Sequence, residues 1–414
     1  MKQTNKAKFI LLAVLFIFAF FFSNDLGLID VEKTSIITAI AIDRDLSDGS
    51  FIATAQIAVP EATDTNTENQ KAQISGKGST IGGAIKDLGD TSGWFPKLSF
   101  CNLIILGGDF KDYNVIEVLD YFAKTLRVQD SALICMSEKK ASELLELASP
   151  LDNISSFALQ KILLKATGFD KDTLSTDIKT FCSGRYSISG YSFMPIVKVI
   201  PSSLGKSSDE QGNSSGSAST ETGMDTGSGG GSSSGIEQKE NYLFNAKTTA
   251  LFKDGKTAGE LDENATLVLN ALSGKFKGTT IPIDNVELSP FGKCNFLITV
   301  MYSEPKAKLT ATDNELVLNI NLKLYCRIAD HSADGSEYSI SDNKPLPQPL
   351  IKKTEEFFIE NINGIVETAK QTGCDILQVK EKLYRFNHKQ YSTYKDNYLS
   401  VLKTNVNVSV SGQK

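Results

Sequence analysis

Apolar and polar positions along this chain follow two rhythms, and the rhythm changes repeatedly. From residue 35 to 59 it reads SIITAIAIDRDLSDGSFIATAQIAV, with Ile36, Thr38, Ile40 and Ile42 alternating with Ile37, Ala39 and Ala41. Period two with many β-branched residues predicts strands. Asp48-Gly49 between the two halves predicts a hairpin turn, because glycine accepts positive φ and aspartate tolerates it. Residues 61–72 are polar and predict a loop. STIGGAIKDLGD (79–90) predicts a short helix: Ser79 or Thr80 can cap it, and Ile81, Ile85 and Leu88 share a face. KLSFCNLIILG (97–107) and SALICMS (131–137) predict strands, the first of them buried. VIEVLDYFAKTLRV (115–128) predicts an amphipathic helix with Val115, Val118, Leu119, Phe122 and Leu126 on one side. KKASELLELA (139–148) and SFALQKILLKA (156–166) predict helices, and YSISGYSFMPIVKVI (186–200) returns to strand character.

Residues 202–235 then break the pattern with a stretch of Ser, Gly, Thr and acidic residues that holds almost no apolar side chain. Such a stretch cannot bury enough surface to offset its ordering entropy, so disorder is expected. Its glycines follow no strand directly and lack a GK[ST] ending, which excludes a phosphate-binding loop. MPIVKVI before it and NAKTTALF after it are both strand-like, so it either joins two domains or forms a large loop within one sheet. Further on, Asp254-Gly255 centres a predicted hairpin over 245–262, and 263–274 predicts a short helix or extended segment ending at Gly274. TTIPI, CNFLITVMYS and a hairpin over 306–330 turning near Asp313-Asn314 are expected strands. Residues 331–348 read as a loop. A helix over 349–374 carries Ile351, Phe358, Ile362, Ile365, Val366 and Ala369 on one stripe and ends on Gly373. Asp375 can cap a second helix, and VLKTNVNVSVSG alternates as a final strand. Strands in runs beside separate helices predict an α+β, multi-domain chain with mixed or antiparallel sheets flanked by helices.

The N-terminus adds a different element. Lys2, Lys6 and Lys8 precede an uninterrupted apolar run from Phe9 to Phe22, 14 residues. As a helix that is roughly 21 Å, against about 30 Å for a bilayer core, the length of a signal-peptide core. Counting on to Ile29 gives 21 residues, with Asn24 and Asp25 near the outer end. The run ends FAFFFSND, where bulky phenylalanines oppose cleavage, so an uncleaved anchor is expected. The lysines place the N-terminus inside and the body outside. The chain of 414 residues carries a net charge of −6, which gives no electrostatic reason to bind nucleic acid or a broad anionic lipid surface. Residues 1–30 are thus read as signal or anchor, 31–200 as an N-terminal domain, 201–240 as a Gly/Ser-rich linker or loop, and 241–414 as a C-terminal domain.

Candidate chemistry is sparse. The six cysteines, Cys101, Cys135, Cys182, Cys294, Cys326 and Cys374, include no CxxC pair and read as small buried hydrophobes. His331 and His388 lie in no metal-ligand pattern. Glu355 and Glu356 are adjacent and do not face one another on a helix; Glu143 and Glu146 would share a solvated face. Trp94, the only tryptophan, is expected in the core. No GxSxG or catalytic constellation is present, so no catalytic, metal or cofactor residue is assigned and no enzyme activity is expected.

Taken in order, SIITAIAIDRDLSDGSFIATAQIAVP, GSTIGGAIKDLGDTSGWFPKLSFCNLIILGGDF, VIEVLDYFAKTLRVQDSALICMSEKKASELL, TTALFKDGKTAGELDENATLVLNALSGK and FFIENINGIVETAKQTGCDILQVKEKLYRFNHKQYSTY resemble segments of the Ger(x)C family, the C subunits of GerA-type spore germinant receptors. The resemblance covers about 35–200 and 245–410. It implies three α+β domains outside the membrane and assembly with membrane-embedded A-type and B-type receptor subunits. It also implies a part in nutrient-triggered germination at the spore inner membrane, with no catalytic residue to carry over. The family's lipid-accepting cysteine is missing: Ser23-Asn24-Asp25-Leu26-Gly27 follow the apolar run. The competing expectation is a membrane-anchored binding module for a small ligand or cell-wall glycan outside germination.

Overall fold

The computed structural model describes residues 11–14, 34–58, 71–125, 128–147, 152, 154–164, 172–201, 242–274, 276–289, 291–332 and 345–412. The expectations for most of the leader, for most of the loop at 61–72, for the connector at 202–235 and for most of the loop at 331–348 lie outside these residues; Lys71 and Ala72, expected in that loop, begin a strand. Residues 11–14 are helical.

The first half builds one side of a ten-stranded mixed sheet. Its strands are β1 (Thr34–Arg44), β2 (Phe51–Ala58), β3 (Lys71–Gly78), β4 (Phe95–Lys97), β5 (Leu103–Leu106), β6 (Leu133–Ser137), β7 (Thr176–Asp177) and β8 (Tyr191–Pro201). The sheet continues into β9 (Tyr242–Lys253) and β10 (Lys256–Leu261), giving the order β10-β9-β8-β6-β5-β1-β2-β3, with β4 beside β1 and β7 beside β6. The expected β1–β2 hairpin forms with Gly49 at φ +73°. The β9–β10 hairpin turns at Asp254 and Gly255, both at positive φ.

The centre of this sheet is parallel: β1, β5, β6 and β8 run in one direction. Strands in such a position are covered on both faces, which explains why LIIL and LICM read as continuous apolar runs rather than alternating ones. Helices α1 (Ile81–Ser92) and α2 (Val115–Thr125) lie in the links leading to β5 and β6. Helices α3 (Ala141–Glu146), α4 (Ser155–Leu164) and α5 (Ile178–Arg185) lie between β6 and β8. Ile40, Ile42, Ile104, Leu106, Ile134 and Met136 face a core shared with α1, α2 and α5. Their neighbours Ala39, Ala41, Leu103, Ile105, Leu133 and Cys135 face the opposite core with α3 and α4. The strands and helices expected over 97–200 are therefore joined by crossover connections inside a mixed sheet, not set in separate runs.

The second sheet has the order β11-β12-β13-β14, from β11 (Lys277–Leu288), β12 (Gly292–Ala311), β13 (Leu316–His331) and β14 (Leu402–Gly412). β14 returns parallel to β13. Before it lie α6 (Glu263–Leu272), capped by Asp262, and the long α7 (Gln348–Thr372). After α7 come α8 (Val379–Phe386), α9 (His388–Tyr394) and α10 (Tyr398–Val401). Leu350, Phe358, Ile362, Ile365, Val366 and Ala369 form the buried stripe of α7, and Gly373 ends it at φ +66°. CNFLITVMYS and KAKLTA, read as separate strands, are one 20-residue strand through Pro305. β11 stops opposite Tyr302, so Pro305 sits where β12 is paired on one side only, a position that tolerates a missing donor.

All six cysteines are free thiols, five of them buried. Burial pushes Cys101 and Cys326 up to about 12, which keeps them in the unreactive thiol form.

Among the elements that escaped the sequence pattern are β3, whose QISGKG contains two glycines, and α5. The glycines of β3 serve packing. A Cβ on Gly76 would overlap the backbone of Leu88 and Ala84 in α1, and one on Gly78 would overlap Gly83 and Ala84. The helix thus rests directly on the strand. Because backbone cannot step aside as a side chain can, Gly76→Val is expected to cost about 3 kcal/mol, the upper end for overpacking. Urea denaturation should report it as a lower midpoint at unchanged slope.

Candidate functional site

In open sheets with parallel strands, ligands bind outside the carboxyl ends of those strands. Here that place is a groove of about 560 Å³, lined by Asp43, Arg44, Gly108, Asp109, Glu138 and Lys139 among others. Two of its acids already have partners. Asp43, buried at the end of β1, accepts from the backbone N–H of Ala141 (2.6 Å) and Ser142 (2.9 Å), capping α3 from a distant strand. Asp109 accepts from the backbone N–H of Arg44, and the Arg44 guanidinium lies 4.5 Å from the Tyr113 ring centroid. A Cβ on Gly107 would overlap Oδ1 of both Asp43 and Asp109, so the two oxygens face one another across the glycine. Burial, reinforced by the Asp43 charge, raises the Asp109 carboxyl above its usual range. The groove thus brings together a pair of acids from distant segments.

A second concentration of perturbed groups lies where the two sheets meet. Asp375 is buried and accepts from the N–H groups of Val379 (2.7 Å) and Lys380 (2.9 Å), the cap expected from sequence. Burial raises its carboxyl and lowers the nearby Lys382 amine, whose Nζ donates to the Leu377 carbonyl at 2.6 Å. Burial also raises Tyr191, Tyr398 and Cys374. A raised thiol and a lysine held by a carbonyl do not make a nucleophilic pair. The adjoining cavity of about 190 Å³, lined by Leu174, Phe193, Leu269 and Ile320, is smaller than ordinary ligand pockets of about 300–1,000 Å³.

The residues weighed in the sequence stay apart. Glu143 and Glu146 are exposed on α3. Glu355 accepts from the Val410 N–H, tying α7 to the edge strand, while Glu356 pairs with Lys352 across one helical turn. His331 ends β13 and His388 begins α9, where its ring is near those of Tyr384 and Tyr391. Among the described residues no cluster of three or more His, Cys, Asp or Glu could hold a metal ion. Trp94 corrects the expectation: it is 47% exposed rather than core. In GWFPKLSF, Pro96 and Leu98 take the inward positions and leave Trp94, Phe95, Lys97 and Phe100 facing out. Tyr191 and Lys382 went unmarked in the sequence, because their burial depends on packing between distant segments.

The family model described as "Spore germination protein N-terminal domain" matches residues 28–199, and the one described as "Spore germination B3/ GerAC like, C-terminal" matches residues 247–413. The chain belongs to the Ger(x)C family of spore germination proteins. Membership carries the role of a germinant receptor C subunit in spore germination. No curated protein matches the chain. A solved structure titled "Crystal Structure of the GerBC protein" aligns over 93% of this chain and 100% of that one, at 14% identity and a TM-score of 0.46. The two matched regions flank the connector, and strands from both sides of it pair in the first sheet.

The acid pair in the groove generates a test with a defined sign. Asp109 is raised in the folded chain above its unfolded value of about 3.9. Its contribution is therefore full below that value and is lost as pH rises through the folded pKa. In Asp109→Asn the amide oxygen keeps the Arg44 N–H and the amide nitrogen can donate to Asp43. The variant should be more stable than the parent by about 1 kcal/mol at neutral pH, with the difference vanishing near pH 4. Thermal unfolding across that range measures it.

Proposed function

We propose that this C subunit works without catalysis at the outer face of the spore inner membrane, held there by its N-terminal apolar segment. It contacts the membrane-embedded A-type and B-type subunits of a nutrient germinant receptor. The single observation that carries this reading is the family match on both sides of the connector. Two features support it. The apolar run from Phe9 with lysines before it suits a tether whose body lies outside. Asp43 and Asp375 are engaged in capping helices, which suits a subunit that works by contact. No helix among the described residues is long and apolar enough to cross a membrane, so a tether would have to come from the leader.

Spores lacking this gene should fail to germinate with the cognate nutrient yet respond normally to a non-nutrient trigger. A normal nutrient response in a strain with no paralogue would contradict the proposal. Alkaline carbonate extraction of membranes checks the tether separately: the full chain should stay with the membrane fraction.

A further inference from the structure

The exposed aromatic residues found at Trp94 lie beside the point where the leader joins the body. β4 pairs in parallel with the start of β1, with Thr34 opposite Phe95, Ser35 opposite Pro96 and Ile36 opposite Lys97. In this register Ile36, Phe95 and Lys97 share one face, because alternate residues of a strand point the same way. Phe100 joins them, with Lys97 Nζ 5.8 Å from its ring centroid. Trp94, Phe95 and Phe100 are 47%, 40% and 52% exposed, and Ile36 is 40% exposed. Large apolar groups exposed together mark a contact surface.

The length of chain before the patch decides what it meets. Only residues 30–33 separate the leader's apolar stretch, counted to Ile29, from Thr34. Fully extended, that join reaches roughly 17 Å, and the Phe95 backbone lies one strand spacing, about 5 Å, to the side. A tethered body therefore cannot carry this edge far from the lipid headgroups. The chemistry of the patch agrees. Tryptophan sits well at the bilayer interface, and phenylalanine serves the apolar face of interfacial elements. Residues 91–100 carry one lysine and no acid, in a chain whose net charge is −6. Asp30 and Glu32 in the join favour contact at headgroup depth over entry into hydrocarbon.

We propose that Trp94, Phe95 and Phe100, with Lys97 and Ile36, form a shallow lipid-contacting edge that seats the body on the membrane surface and fixes its orientation. This rests on the tether proposed above. It goes further by making the membrane a second point of attachment.

Trp94 is its own probe, since the chain has no other tryptophan. The full chain would be reconstituted in vesicles of phosphatidylcholine and phosphatidylglycerol, with or without phosphatidylcholine brominated in its upper acyl chain. The expected result is a shift of Trp94 emission to shorter wavelength, loss of most of that emission with brominated lipid, and little quenching by aqueous iodide. Phe95→Ser with Phe100→Ser, both exposed positions, should restore iodide quenching and abolish lipid quenching while the chain still floats with the vesicles. A parent chain that floats while iodide quenches Trp94 and bromine does not overturns the lipid edge and leaves the tether standing. Shielding from both quenchers overturns it in favour of a protein neighbour. A chain that does not float overturns the tether, and the lipid edge with it.

Discussion

The pairing of β8 with β9 is the constraint on which this architecture depends. The two strands run antiparallel from Tyr191 opposite Lys253 to Pro201 opposite Tyr242, and the connector leaves the sheet between them. The pairing carries β9 and β10 into the first sheet before the chain moves on to α6 and the second sheet. Leu174, Tyr191, Leu251 and Leu261 consequently share a hydrophobic core with Val268, Phe276, Leu318 and Ile362. Each fully buried side chain of that size contributes about 1.5–3 kcal/mol. A handful of them across the seam is enough to make two halves behave as one body. Lys111 paired with Glu260 at 3.0 Å adds a surface link of small weight.

Buried polar groups give the first half its particular geometry. Gln56 has no exposed surface, yet both ends of its amide are used: Nε2 donates to the Leu145 carbonyl and Oε1 accepts from the Ser156 N–H. Thr38 Oγ1 meets Ser156 Oγ at 3.0 Å. Together with Asp43, these side chains of β1 and β2 hold the start of α3, its end and the start of α4 against the sheet. Satisfied polar groups of this kind specify one arrangement, because displacing either partner leaves a buried group unpaired. The same kind of engagement occupies Asp43 and Asp375, each of which caps a helix.

Much of this was legible in the sequence, and the exceptions have physical causes. Periodicity and turn chemistry located the β1–β2 and β9–β10 hairpins, α1 with a cap at Ser79 or Thr80, of which Thr80 serves, and α7 ending at Gly373. Each of those signals is local. β3 was not legible, because its glycines lower strand propensity while serving a close helix approach set by tertiary packing. The continuity of β12 through Pro305 was hidden because it depends on where β11 ends. The parallel centre of the first sheet was foreshadowed only by apolar runs, which a buried helix segment can also produce. Trp94 went astray for a related reason: hydrophobicity suggests burial, but Pro96 and Leu98 take the inward places of that segment. The groove depended on Asp43 and Asp109, far apart in sequence and brought together by strand order.

The proposed action by contact needs fixed distances between surfaces, and the shared core across the connector supplies them. The most direct measurement is to place a protease site within 202–241 of the full chain, cleave it, and follow the two pieces. The account predicts that they stay together through size-exclusion chromatography and unfold in a single thermal transition. Pieces that separate under native conditions, or unfold in two independent transitions, would contradict it.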